Sequence, residues 1–365
     1  MKRTAMYNHH LALKAKMTDF AGFEMPLQYN GIVKEHLAVR EGVGLFDLSH
    51  MGEFWISGSG AEAFLQRMTT NDVSVLDVGQ AQYTALCYDN GGIVDDGVLY
   101  KLESSYLFVI NASNIEKDFD WLKDHLVENV ELNNLSDDYS LIAIQGPKAR
   151  EVLLKVINNK QTVEQLPFYH CIETEVAGVD FLLARTGYTG ELGYELYIKG
   201  EGAEIVWEVL WSAGQEYDIA AVGLGARDTL RLEMKYCLFG NDIDETTNTI
   251  ESGLAWITKL DKGDFIGREA LVQIKSNGPS RRLVPFKMSE RGIPRHGYAI
   301  LKNNSKVGEV TSGTHSPSLK VGIGLGFVDV PFHNIGSEIT IEMRSKSIPA
   351  QIVKPPFWKN GTLMS

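Results

Sequence analysis

The sequence predicts an α+β protein of more than one domain that ends in an antiparallel β-barrel, and three observations carry that expectation. Its 365 residues exceed the size at which a single hydrophobic core usually stops growing. Strand-like and helix-like segments alternate irregularly up to about residue 280, unlike a regular βαβ array. From Arg281 onward the texture changes to short strands parted by Gly, Pro, Asn and Ser.

Taken in chain order, residues 53–57, 82–87, 106–111 and 139–145 read as strands from their β-branched and aromatic content. Helices are expected over 59–68, over 203–217 and over 223–235, and also over 114–126, where Ile115, Phe119, Leu122 and Leu126 recur near helical spacing. The barrel strands are LVPFKM, GYAIL, GEVTS, GIGLGFV, EITIEM and IPAQIVK, with residues 277–282 as the linker. The chain therefore divides into 1–280 and a barrel domain at 281–365. Pattern alone leaves open whether the first region holds two consecutive or two interleaved subdomains.

Composition is that of a soluble globular protein, 44% hydrophobic and 22% charged. Lys and Arg number 35 against 47 Asp and Glu, a formal charge of -12, which disfavours attraction to a nucleic-acid backbone. Cys87, Cys171 and Cys237 are widely spaced and form no Cys/His cluster, so no disulfide framework or metal site is indicated and a reducing compartment fits. The opening residues lack a signal-like apolar run, and no stretch reaches the roughly 18 apolar residues of a membrane helix. A cytoplasmic protein with neither nucleic-acid nor membrane partners is expected.

Three motifs point to chemistry. In Asp89-Asn90-Gly91-Gly92-Ile93-Val94-Asp95-Asp96-Gly97-Val98-Leu99-Tyr100 a tight-turn signal joins two strand-like runs. The strand period of two then sends Asp96, Val98 and Tyr100 to one face and Asp95 to the other. Pattern alone allows both acids to be solvated turn residues, or one of them to accept a proton or balance a developing cation.

In Arg185-Thr186-Gly187-Tyr188-Thr189-Gly190-Glu191-Leu192-Gly193-Tyr194-Glu195-Leu196-Tyr197 a Gly-rich loop feeds an alternating strand. Glu195 and Tyr197 share a face, where a carboxylate beside aromatic surface suits a planar heterocycle with paired N–H donors. The loop lacks the Lys-Ser/Thr end of a phosphate-binding loop, and a purely structural turn is the alternative. In Val222-Gly223-Leu224-Gly225-Ala226-Arg227-Asp228, Arg227 falls in the first turn of a helix, where the dipole disfavours a cation, hinting at a ligand or carboxylate partner. Arg231 reads as a member of a structural ion pair. His50 reads as a structural hydrogen-bonding residue, and Gly322-Ile323-Gly324-Leu325-Gly326 as strand packing.

These segments together resemble the glycine cleavage T-protein family. The resemblance spans essentially the whole chain, from AGFEMPLQYNGIVKEHLAVREGVGLFDLSHMGE through GGIVDDGVLY, RTGYTGELGYEL and VGLGARDTLRLEMKY to SPSLKVGIGLGFV. It implies a three-domain cloverleaf folate-binding fold with two interleaved N-terminal α+β domains, their boundaries near 52 and 140. It also implies an aminomethyltransferase with tetrahydrofolate as co-substrate and no metal. The partner it implies is the lipoylated H-protein, with functional cooperation from the P- and L-proteins.

Carried over by position, Asp96 matches the family's catalytic aspartate and Glu195 the acid that grips the pterin. Arg227 matches a folate-pocket arginine, and Met51, Tyr83, Tyr100, Asn111 and Tyr188 the pocket lining. The chain departs from the pattern near its C-terminus, where Lys359 stands in a region that often carries arginine. Lysine keeps the charge but loses the bidentate fork. Two rivals share the fold: a folate-dependent demethylase, and a folate-binding accessory protein of iron–sulfur maintenance, whose Lys-Gly-Cys motif is absent from this sequence.

Overall fold

In the computed structural model, which describes every residue except 344 and 345, the N-terminal strands sort into two main sheets. The first runs Ala81–Cys87, Ile93–Lys101, Ser105–Ile110, Gly52–Ser57, Glu131–Asn134 in spatial order, all antiparallel. The second runs Cys171–Val176, Val179–Ala184, Gly193–Lys199, Tyr139–Gln145, Gly44–Asp47, Ala220–Ala221. Gly44–Asp47 precedes every strand of the first sheet in the chain, yet it pairs with Tyr139–Gln145, which follows them all. The two α+β units are thus interleaved.

Helices Ala61–Met68 and Ile115–Asp124 cover the outer face of the first sheet, burying Phe64, Leu65 and Leu122 against Phe54, Leu99 and Phe108. Helices Ala149–Val156 and Ala203–Gly214 do the same for the second, with Trp207 packed on Leu196 and Ile198. The inner faces meet in a third core containing Phe46, Tyr100, Leu107, Val109 and Tyr197. Burying apolar surface on both faces of each sheet is what holds these layers together. The helix expected over 114–126 ends at Asp124, and Leu126 lies beyond it, exposed.

The C-terminal strands close into a six-stranded barrel in the order Arg281–Met288, Val321–Asp329, Ser305–Ser316, Ala299–Lys302, Glu338–Met343, Lys346–Ile352. Closure removes the sheet edges that would otherwise invite aggregation. Glycines let its strands approach: a Cβ at Gly326 would sit 2.6 Å from the carbonyl oxygen of Glu309, so GIGLGFV is a packing device, as its place among strands suggested. The hairpin Lys16–Phe20 with Phe23–Gln28 went unread in the sequence. No helix among the described residues is long and apolar enough to cross a membrane.

Candidate active site

The hairpin that carries the paired acids forms as its turn residues require. Gly91 adopts φ +84°, which only glycine takes without strain, and the Asn90 Oδ1 accepts the Gly92 N–H at 2.9 Å. On the returning strand Asp95 pairs across from Leu86 and Asp96 from Ala85. Asp95 consequently faces the helical layer, and Asp96 faces an internal cavity of about 700 Å³, within the usual range for ligand pockets. The Tyr83 hydroxyl donates to one oxygen of Asp96 at 2.7 Å, and the Asn111 side-chain amide donates to the other at 3.1 Å. Burial, reinforced by the neighbouring Asp95 charge, pushes the Asp96 carboxyl up to about 7.

Tyr100, expected in the lining, lies behind it. The ring is fully buried where the two sheets converge, and its hydroxyl sits 3.0 Å from those of both Thr186 and Tyr197. It supports the wall and does not form it.

The Gly-rich loop is shaped around one side chain. A Cβ at Gly187 would lie 2.1 Å from Gln145 Oε1 and one at Gly193 2.3 Å from its Cδ. Gln145 in turn donates to the Thr186 carbonyl and accepts from the Thr189 hydroxyl. That pin aims strand Gly193–Lys199 so that Tyr194, Leu196 and Ile198 enter the helix-covered core, while Glu195 lines the cavity. One carboxylate oxygen of Glu195 accepts from Thr186. Among the described residues no protein group donates to the other. Burial raises this carboxyl, and the Thr186 contact only partly offsets the effect.

Arg227 occupies the first turn of helix Leu224–Glu233 and reaches into the same cavity. Among the described residues no carboxylate lies within ion-pair distance of it. Its guanidinium stands 4.8 Å from the centre of the Tyr188 ring, a cation–π arrangement, and Tyr188 stacks on Tyr236 with centroids 5.6 Å apart. Arg231, one turn on, is bound to Asp228 at 2.8 Å and Asp242 at 2.6 Å, the structural ion pair expected of it.

Met51 lines the cavity, and so does His50. The sequence reading of His50 as a hydrogen-bonding structural residue needs correcting, because its Nδ1 is buried without a partner among the described residues. Burial and the Arg227 charge drop its pKa to about 3, so the ring is neutral. Lys359 is exposed and outside the lining, whereas Leu363 of the same C-terminal segment is within it. Trp256, 61% exposed with its ring 5.9 Å from Tyr83, stands where the cavity meets solvent. It sits in a single 3-10 turn, Ala255–Ile257, too short to leave a periodic sequence signal.

One cavity therefore combines two chemistries. Glu195 offers a free carboxylate oxygen beside stacked tyrosines, a grip for a planar heterocycle bearing amino and ring N–H donors. Asp96, held by two donors and raised toward neutrality, is suited to accept a proton or to stabilise a cation forming next to it.

Comparison with known proteins places these features in a family. Residues 6–262 match the GCVT N-terminal domain, and residues 281–359 match the glycine cleavage T-protein C-terminal barrel domain. The chain is 49% identical to an aminomethyltransferase of Halothermothrix orenii, over 98% of this chain and all of that one. It is 52% identical to an aminomethyltransferase of Chloroherpeton thalassium, over 98% and 99% of the two chains. The crystal structure of glycine cleavage system aminomethyltransferase T from Bartonella henselae superimposes with a TM-score of 0.91 at 34% identity, covering 99% of both chains.

Proposed function

The chain belongs to the glycine cleavage T-protein family of aminomethyltransferases, and from that premise we propose that tetrahydrofolate is its one-carbon acceptor and the lipoylated H-protein its donor. The aminomethyl carbon passes from the S-aminomethyl-dihydrolipoyl arm to the folate, releasing ammonia and giving 5,10-methylenetetrahydrofolate. The P- and L-proteins of the glycine cleavage system act before and after this step. Three free cysteines, all buried, suit a reducing cytoplasm.

The observation that carries the reading is the shared cavity of Glu195 and Asp96. The unengaged oxygen of Glu195 accepts from the 2-amino and ring N–H groups of the pterin, while Tyr188 and Arg227 flank it. As the carbon–sulfur bond breaks, the S–CH2–NH2 carbon becomes iminium-like, and Asp96 stabilises that charge. Two folate nitrogens bond to the carbon and each gives up a proton. One proton ends on the dihydrolipoyl sulfur and the other on the departing ammonia, and Asp96 is placed to relay them. Holding two large substrates in one orientation contributes the rest.

Two results test this. Glu195→Gln keeps the shape but replaces the charged acceptor, and hydrogen bonds to charged groups are worth about 1.5–3 kcal/mol, so the dissociation constant for tetrahydrofolate should rise about 10- to 100-fold in a calorimetric titration. A change below roughly threefold would remove Glu195 from the pterin site. The second is the pH dependence of methylenetetrahydrofolate formation. Asp96 working as the ionised carboxylate makes kcat/KM fall about tenfold per unit below about pH 7. A profile flat down to about pH 5 contradicts that role.

A further inference from the structure

Behind Asp96 two more acids meet between the first sheet and helix Ile115–Asp124. Asp95 is 1% exposed and Asp118 fully buried. Both oxygens of Asp118 lack a hydrogen-bond donor among the described residues. The nearest cation, Lys117, stands 3.6 Å away, beyond hydrogen-bond distance, and its ammonium donates to the Val94 carbonyl. Asp95 is well served by contrast: one oxygen accepts from the Asn111 amide at 2.8 Å and the other from the Asn111 backbone N–H at 3.2 Å.

The same Asn111 amide also reaches the backbone carbonyl and the side-chain oxygen of Asp96, each at 3.1 Å. Its two hydrogens face three acceptors. The anchor on Asp95 therefore decides how the other hydrogen is aimed at Asp96.

Two adjacent carboxylates in a dry interior cannot both stay ionised. We propose that Asp118 is a carboxylic acid in the folded protein, that its O–H is donated to Asp95, and that the pair fixes Asn111 and, through it, the orientation of Asp96. One proton turns Asp118 into a donor toward Asp95 and removes the unpaired charge on Asp118. Burial and the Asp95 charge both push the Asp118 carboxyl far up, to about 11, in the same sense. Asp95 and Asp118 are positioning residues, and their kinetic role rests on the transferase reading above.

The pair keeps one negative charge beside Asp96. Arg227 and Lys235 line the same cavity as Asp96, and they stay in place in every variant compared below. Tyr83, Tyr169, Tyr188 and Cys237 are held neutral by burial, and Lys117 stands 3.6 Å from Asp118 on the helix side.

The test is carboxyl infrared spectroscopy of the full-length protein with isotope-labelled aspartate, together with pH–rate profiles. A protonated-carboxyl band should persist at mildly alkaline pH in the wild type and in Asp96→Asn, and vanish in Asp118→Asn. Asp118→Asn preserves a donor and the charge of the pair, so the acid limb of its rate profile should stay in place. Asp95→Asn removes that charge, so its limb should move to lower pH by about one unit. The proposal is overturned if the band is missing in the wild type or survives in Asp118→Asn, or if Asp118→Asn itself shifts the limb as loss of an ionised carboxylate would. The infrared result decides the protonation state even if no aminomethyl transfer occurs, so the two readings fail separately.

Discussion

Asp96→Asn is expected to lower kcat by about 10²- to 10⁴-fold, the usual contribution of a positioned proton-transfer group, while tetrahydrofolate binding stays within roughly threefold of wild type. The carboxylate accepts from Tyr83 at 2.7 Å and from Asn111 at 3.1 Å. An amide fills the same space and can still accept from one of them, and the tyrosine hydroxyl can turn to accept from its NH2. What it cannot do is take up a proton or carry the charge that answers an iminium-like carbon. Because that interaction exists mainly in the transition state, kcat and kcat/KM should fall together, as steady-state kinetics will report. Parallel loss of folate binding would make Asp96 a ligand-holding group, and an unchanged rate would remove it from the chemistry.

The largest expected loss of stability follows from Arg40→Met. Arg40, on helix Ile32–Glu41, donates to Glu191 at 2.7 Å and to Glu233 at 2.9 Å, and all three side chains are within 2% of complete burial. Glu233 also accepts from the hydroxyls of Ser316, at 2.5 Å, and Ser318, at 2.9 Å, in the barrel domain. Glu191 accepts from the Trp358 indole at 2.9 Å and the Thr362 hydroxyl at 2.7 Å in the C-terminal segment. One guanidinium thus ties the Gly-rich loop, helix Leu224–Glu233, the barrel and the C-terminal segment together. Removing it leaves two buried carboxylates uncompensated, which costs about 3–5 kcal/mol.

Urea denaturation should show that loss as a lower midpoint at unchanged slope, and a loss under about 1 kcal/mol would mean the carboxylates find other partners. Burial would raise the Glu233 carboxyl, but the His36 hydrogen bond, the Arg40 charge and Ser316 outweigh it and hold it down to about 2. For a carboxyl so depressed, the stabilisation is complete above the ordinary value near 4.5 and disappears as pH falls toward about 2.

The barrel was readable because each strand carries its own alternation and turn residues, and LVPFKM through IPAQIVK all appear in it. The faces of Asp95 and Asp96 were readable for the same reason, the period of two. The pairing of Gly44–Asp47 with Tyr139–Gln145 and with Ala220–Ala221 was not, since such short strands meeting across so much chain leave no local pattern. The interleaving came only from family resemblance. Arg40, Glu191 and Glu233 carry no sequence signal of burial, because isolated charges normally mark surface and their burial depends on three distant segments converging. Tyr100 was placed on the right face of its strand but one layer too far forward, because alternation gives a direction and not the point at which two sheets close. Trp256, Tyr236 and Leu363 reach the cavity from irregular segments.

The most direct measurement mixes the purified protein with S-aminomethyl-dihydrolipoyl H-protein, with and without tetrahydrofolate, and follows ammonia and 5,10-methylenetetrahydrofolate. Equal amounts of both products, formed rapidly only when folate is present, are the predicted result. Tight folate binding without turnover would contradict aminomethyl transfer and leave a folate-binding accessory role in its place.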